Sequence, residues 1–227
     1  MESDGRKDMS YNGARVIRVP KNYGRVNFSR DELRQILISV VAMTAIFTIF
    51  FYSTVNSWGD VGSTDALLIT IGISALAVVL GFLIHELGHK VVAQRYGAWA
   101  EFRMYPMGFV LGFITAFLGF LFIAPGAVYI QGQVTKKQYG RISIAGPLTN
   151  VVIGSIFLGL WMVFDTGILG NSLNMLAVLS LFLAVFNLLP VPPFDGSKVL
   201  KWSLPVYVMF GAVAIFLLLV AWGIISF

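Results

Sequence analysis

Long apolar runs separated by short polar stretches set the pattern of this chain. A run of roughly 20 apolar residues is enough to cross a bilayer as a helix. The runs predict five spans, at about Leu33–Thr54, Ala66–Tyr96, Tyr139–Phe164, Ser172–Leu189 and Leu204–Phe227. The second is longer than one crossing needs. A further apolar stretch, Met107–Ala127, is interrupted by Gly108, Gly112, Gly119, Pro125 and Gly126. That density of glycine and proline predicts a re-entrant or strand-like hairpin buried against protein, with a tight helical hairpin as the alternative. The pattern thus predicts an all-α polytopic membrane protein of about five to six transmembrane helices with a short re-entrant or β-hairpin insert. Residues 1–32 read as a basic tail and residues 33–227 as one integral-membrane domain.

Composition agrees with the pattern. The chain is 57% hydrophobic and 12% charged, whereas soluble domains carry about 25% charged residues. A soluble protein with a large core is excluded. With no cysteine in the chain, disulfides, thiolate metal ligands and cysteine nucleophiles are excluded too. The polar, basic N-terminus has no short apolar region ahead of a cleavage site, so no cleaved signal peptide is expected.

Basic residues orient the spans. Of the 16 lysines and arginines, eight lie in residues 1–34, six in 90–141, and the last two are Lys198 and Lys201. Five spans bring all of them to one side. The opposite loops, 55–65 and 165–171, carry only Asp60, Asp65 and Asp165. The expectation is a multi-pass protein of the cell membrane with a cytosolic N-terminus. The insert then begins and ends in the cytosol, re-entrant from that side. The net charge of +5 reports topology and attraction to anionic lipid. The lipid bilayer, and no nucleic acid, is the expected partner of the basic residues.

One stretch carries candidate chemistry. "LIHELGHKVV", residues 83–92, holds both histidines of the chain and a glutamate at the end of an apolar span. Ionisable groups there are costly and call for a reason. His85 lies about 28 Å along the axis from the start of the span, inside a hydrocarbon layer about 30 Å thick. His85 and His89 are spaced i, i+4 and project from one helix face, so two ring nitrogens can reach one zinc ion. Glu86 projects about 100° away, placed to act as general base on a water at the metal. The bland alternative is two satisfied buried histidines and a capped carboxylate. Three costly groups together, in H-E-x-x-H order, favour the metal site.

A catalytic zinc ion usually has three protein ligands and an open position. Without cysteine or a third histidine, the third ligand must be a carboxylate. Asp60, Asp65 and Asp165 are on the wrong side. Glu2, Asp4, Asp8, Asp31 and Glu32 lie in or beside the basic tail. Glu101 sits in a solvated-looking segment, "WAEFRMYP", beside Arg103. Asp195, in "FNLLPVPPFDGSK", falls where the fourth span returns to the depth of the histidines. Pro190, Pro192 and Pro193 hold the backbone there extended or turning, and Gly196 permits a tight bend. An ordinary Asp-Gly turn is the alternative. Depth and elimination favour Asp195.

"HELGH" at 85–89 together with "NLLPVPPFDG" at 187–196 resembles the site-2 protease family of intramembrane zinc metalloproteases, peptidase family M50. "IAGPLTN" at 144–150 is similar to that family's G-P-x-x-N stretch. The resemblance covers about residues 66–200 and implies a three-helix catalytic core. It implies His85, His89 and Asp195 as ligands of Zn2+ and Glu86 as the catalytic residue. It also implies that Asn187 and Asn150 hold substrate backbone or polarise the scissile carbonyl; helix-helix glue is the alternative for both. Where the family usually has L-D-G followed by glycine and arginine, this chain has Phe194-Asp195-Gly196-Ser197-Lys198. The implied function is an intramembrane protease acting on a transmembrane protein substrate. It cuts near the cytosolic face and releases a cytosolic fragment, as in regulated intramembrane proteolysis. A catalytically inactive membrane scaffold or a zinc-binding transporter is the alternative.

Overall fold

The computed structural model describes residues 25–59 and 61–225. Most of the basic tail, including Arg6, Lys7, Arg15, Arg18 and Lys21, lies outside the described residues, as do Asp60 and the end of the fifth span.

Among the described residues, five helices are long and apolar enough to cross a membrane. Helix α1 runs Arg30–Asn56, capped by Ser29, whose hydroxyl accepts from the Glu32 amide at 3.1 Å. The second span is one continuous helical rod of three parts. These are α2 (Ser63–Ala77), a single π-helical segment (Val78–Leu83) and α3 (Ile84–Arg95). A π turn holds an extra residue, so it rotates everything after it by about 100° relative to an unbroken helix. It ends two residues before His85 and sets the direction in which the motif faces. Helices α5 (Lys136–Val163), α6 (Gly167–Asn187) and α8 (Leu204–Ala221) complete the spans. Each of the five lies within a few residues of its predicted run, because apolar run length alone defines a membrane helix.

Helix α5 is central and packs against α3, α6 and a short helix α7, Asp195–Trp202. Helix α1 packs along α2, where Met43, Ile46, Phe47, Ile73 and Val78 form the largest apolar cluster. Leu37, Val41, Leu68, Met209 and Val213 point outward, the arrangement expected of helices whose outer surface is covered by lipid.

The insert is a strand–helix–strand unit. Strand β1, Trp99–Met104, pairs antiparallel with β2, Gly126–Gln131, from Trp99↔Gln131 to Met104↔Gly126. Helix α4, Pro106–Phe117, joins them and packs on α1. The β-hairpin is thus present, but it opens eight residues before Met107, and much of the apolar stretch is helical. Proline at the first position of α4 is compatible with the helix, because that residue needs no donor. Gly108 serves close packing: a side chain there would strike the Ala124 carbonyl. The pairing returns Gln131 to the side of Trp99, so the insert ends where it left α3.

Two residues read differently in three dimensions. Glu32, assigned beside the tail, and Lys90, counted among the cytosolic charges, are both fully buried and paired at 2.8 Å. Helix α1 docks its first turn on the sheet, which removes both groups from solvent.

Candidate active site

Three side chains from two elements converge on one point. Helix α3 supplies His85 and His89 from one face, and the first residue of α7 supplies Asp195. The Nε2 atoms of the two histidines are 3.1 Å apart. Asp195 Oδ2 lies 2.9 Å from His89 Nε2 and 3.4 Å from His85 Nε2. Four donors held tetrahedrally at about 2.0–2.1 Å from zinc stand roughly 3.3 Å from one another. The observed triangle has nearly that size. All three residues are buried, and the set of two imidazoles and one carboxylate is one that zinc takes in catalytic sites.

Protonation supports the fit. His89 Nδ1 faces the Ile142 carbonyl at 2.7 Å. A carbonyl only accepts, so this nitrogen carries the proton, and a neutral His89 presents a lone pair at Nε2. That lone pair meets the Asp195 carboxylate at contact distance. Two acceptors so placed repel unless a cation lies between them. The Asp195 carboxyl itself is held well below the usual carboxylate range. Burial pushes it up, but the charge and hydrogen bonds of histidines protonated in place of a cation, together with the Lys198 ammonium, outweigh burial.

Helix α5 leaves room for this group. A side chain at Gly146 would strike Nε2 of both histidines, so only glycine leaves these nitrogens their space. Pro147 follows, and its missing N–H removes the helix bond to the Ser143 carbonyl, one residue from the carbonyl that holds His89. On the other side, a Cβ at Gly196 would strike the Leu188 backbone. Its value is thus close packing at the start of α7, and no left-handed bend is needed. The Leu188 carbonyl also accepts from Tyr207 at 3.0 Å, which ties α8 to the loop ahead of Asp195.

Glu86 is half-buried and follows His85 directly, and its Oε2 accepts from the Val128 amide of β2 at 2.9 Å. Lys198, in sequence a cytosolic charge and a departure from the family pattern, donates to Asp195 Oδ1 at 2.9 Å. Its i, i+3 spacing from Asp195 on a helix was the available signal. Asn150 is fully buried on α5, one turn beyond Gly146, and neither of its side-chain polar atoms has a partner. Asn187 is only half-buried, and its amide donates back to the Leu183 carbonyl at 3.0 Å. Glu101, the rejected ligand, is held by Arg103 on β1.

Comparison with known proteins decides the family. A Methanocaldococcus jannaschii protein provisionally named zinc metalloprotease MJ0611 is 43% identical over 179 residues, 78% of this chain and 86% of its own. The chain belongs to peptidase family M50. The family profile itself matches residues 162–208, which include Asp195. Zinc metalloprotease MJ0392 of the same organism is 33% identical over 127 residues, but these are only 32% of its length. Rip2 of Mycolicibacterium smegmatis, also provisionally named a zinc metalloprotease, is 32% identical over 146 residues, 56% of each chain. No solved structure matches significantly. This M50 chain is therefore a multi-pass membrane protein whose family chemistry is peptide hydrolysis.

Proposed function

We propose that this M50 chain is an intramembrane zinc metalloprotease of the cell membrane. In this reading it cuts membrane-spanning proteins near the cytosolic face and releases a cytosolic fragment. The observation that carries it is the convergence of two histidine nitrogens and a carboxylate oxygen, all within 4.8 Å of one another, beside Glu86 at the end of a span. His85, His89 and Asp195 hold the ion and Glu86 is the catalytic residue.

Zinc supplies Lewis acidity, which makes water nucleophilic near neutral pH and polarises a peptide carbonyl. Glu86 accepts the proton of the attacking water at a carboxylate oxygen and returns it to the departing amine. The Val128 amide orients that carboxylate. Lys198 holds the second oxygen of Asp195, leaving Oδ2 to face the histidines. A transmembrane helix must unwind before it can be cut, and the extended strand then needs hydrogen-bond partners. Asn150, buried without a partner, has donor and acceptor free for that strand or for the scissile carbonyl. Asn187 serves the same end once it releases Leu183. A buried amide left unpaired is destabilising by about 1–3 kcal/mol, so a role with substrate accounts for Asn150 better than packing does.

The alternatives draw less support. A transit site for zinc calls for ionisable groups at several depths, whereas among the described residues one such metal-binding group is found. An inactive scaffold has no need of Glu86. The test uses protein purified in detergent, its metal content measured, and a model single-span substrate. Cleavage that a chelator abolishes and added zinc restores is expected. A zinc-loaded protein that leaves several such substrates intact contradicts the reading.

A further inference from the structure

We propose that Glu32 and Lys90 are positioning residues of the proteolytic site, docking the sheet so that β2 presents the Val128 amide to Glu86. The inference rests on the reading of Glu86 as the general base. Each of the two charged groups is fully buried, and a buried pair is tolerated only when its remaining hydrogen-bonding capacity is also filled. Here both groups fill it with the backbone of β1. Glu32 Oε1 accepts from the Phe102 amide at 2.9 Å, and Lys90 Nζ donates to the Ala100 carbonyl at 2.8 Å. Gln94 adds a second bond to Ala100 at 2.9 Å, and Gln35 accepts from the Met104 amide at 3.0 Å. The outer edge of β1 is therefore met by side chains at every second residue, 100, 102 and 104, as a third strand would meet it.

Strand geometry carries this docking to the active site. In an antiparallel pair, opposed residues alternately bond each other or turn their polar groups outward. Phe102 is opposite Val128. Phe102 bonds outward to Glu32, and Val128 bonds outward in the other direction to Glu86. The two-stranded sheet is thus a bridge from the buried ion pair to the catalytic carboxylate. A one-residue slip of either strand would turn the Val128 amide inward. Lys90 also follows His89 directly, so the same contact ties the metal-binding helix to the sheet.

A pair kept only for charge balance would be served by either order of charges. A strand dock would not, because lysine has no acceptor and carboxylate no donor. The double variant Glu32→Lys/Lys90→Glu keeps the pair and loses both backbone bonds. Glu32→Gln loses the charge and keeps an acceptor for Phe102. Full-length protein in detergent is assayed for zinc content, amide hydrogen exchange over residues 126–131, and kcat and KM on a single-span substrate. Expected for the double variant are retained zinc, faster exchange over 126–131, and kcat lowered roughly ten- to hundredfold with little change in KM. Glu32→Gln changes each of these less. Unaltered exchange in the double variant, or a larger loss in Glu32→Gln than in the swap, overturns the proposal. Should the swap fail to fold, Glu32→Leu/Lys90→Met removes both backbone bonds and leaves no unpaired buried charge. Faster exchange over 126–131 with zinc retained then supports the docking, and unaltered exchange overturns it. If Glu86→Gln cleaves normally, the general-base reading fails, and the exchange result still decides whether the pair docks the strand.

Discussion

His89 donates through Nδ1 to the Ile142 carbonyl, 2.7 Å away on the neighbouring span. This one bond fixes the ring's tautomer, aims Nε2 at Asp195 and couples α3 to α5. Outer partners of this kind orient metal-binding histidines and raise their basicity. The carbonyl sits one turn before Gly146, whose missing side chain gives Nε2 its space. Helix α5 thus both holds the histidine and makes room for its nitrogen.

Gly146→Ala tests that dependence. The added methyl would occupy the space of both Nε2 atoms, while alanine favours the helix itself. The expected result is a folded protein that retains little zinc on purification, read by elemental analysis per mole of protein. Stoichiometric zinc in this variant would mean that the two helices separate more readily than their packing suggests.

Lys198→Met removes the ammonium that holds Asp195 Oδ1 at 2.9 Å. Second-sphere partners of this kind are worth about ten- to hundredfold in metal affinity. Zinc affinity, measured by competition with a chelator, is expected to fall by that order, and Lys198→Arg is expected to recover most of it. Unchanged or tighter binding in Lys198→Met would show that the charge opposes the metal more than it orders its ligand.

Asp195 and Glu101 are the carboxylates that the sequence left in competition. Asp195→Ala is expected to lower zinc occupancy, because two imidazoles leave the ion under-coordinated. Glu101→Ala is expected to leave it intact, since Glu101 engages Arg103. The opposite result from the pair of variants would move the third ligand to the sheet.

The spans and the shared helix face of His85 and His89 were legible because each depends on a local signal: apolar run length for the helices, i, i+4 spacing for the histidines. Asp195 followed from depth. The sheet was half legible. "WAEFRM" alternates Ala100 and Phe102, both buried, with Trp99, Glu101 and Arg103, but the charged residues masked the period of two. The Glu32–Lys90 pair was not legible at all. Its partners are 58 residues apart, and in sequence each looks like an ordinary charge at a membrane surface. The reason for glycine at 146 was equally hidden, because it lies in what approaches from another helix.

Topology gives a further prediction. The β1–β2 pairing returns the insert to its starting point, so Lys137 is expected on the same side as Lys201. Single cysteines at Ser57, Lys137, Thr166 and Lys201 in this cysteine-free chain can be probed with an impermeant thiol reagent. Labelling from outside is expected at Ser57 and Thr166 only. Outside labelling at Lys137 contradicts the arrangement.

The most direct test of the central claim is the cleavage rate of Glu86→Gln at matched zinc content. Glutamine keeps the size of the side chain and an oxygen for the Val128 amide, but it cannot take up the proton of the attacking water. If Glu86 is the general base, the variant holds zinc like the wild type and cleaves a single-span substrate at least about a hundredfold more slowly. Turnover at the wild-type rate by the purified, zinc-loaded variant would contradict the account.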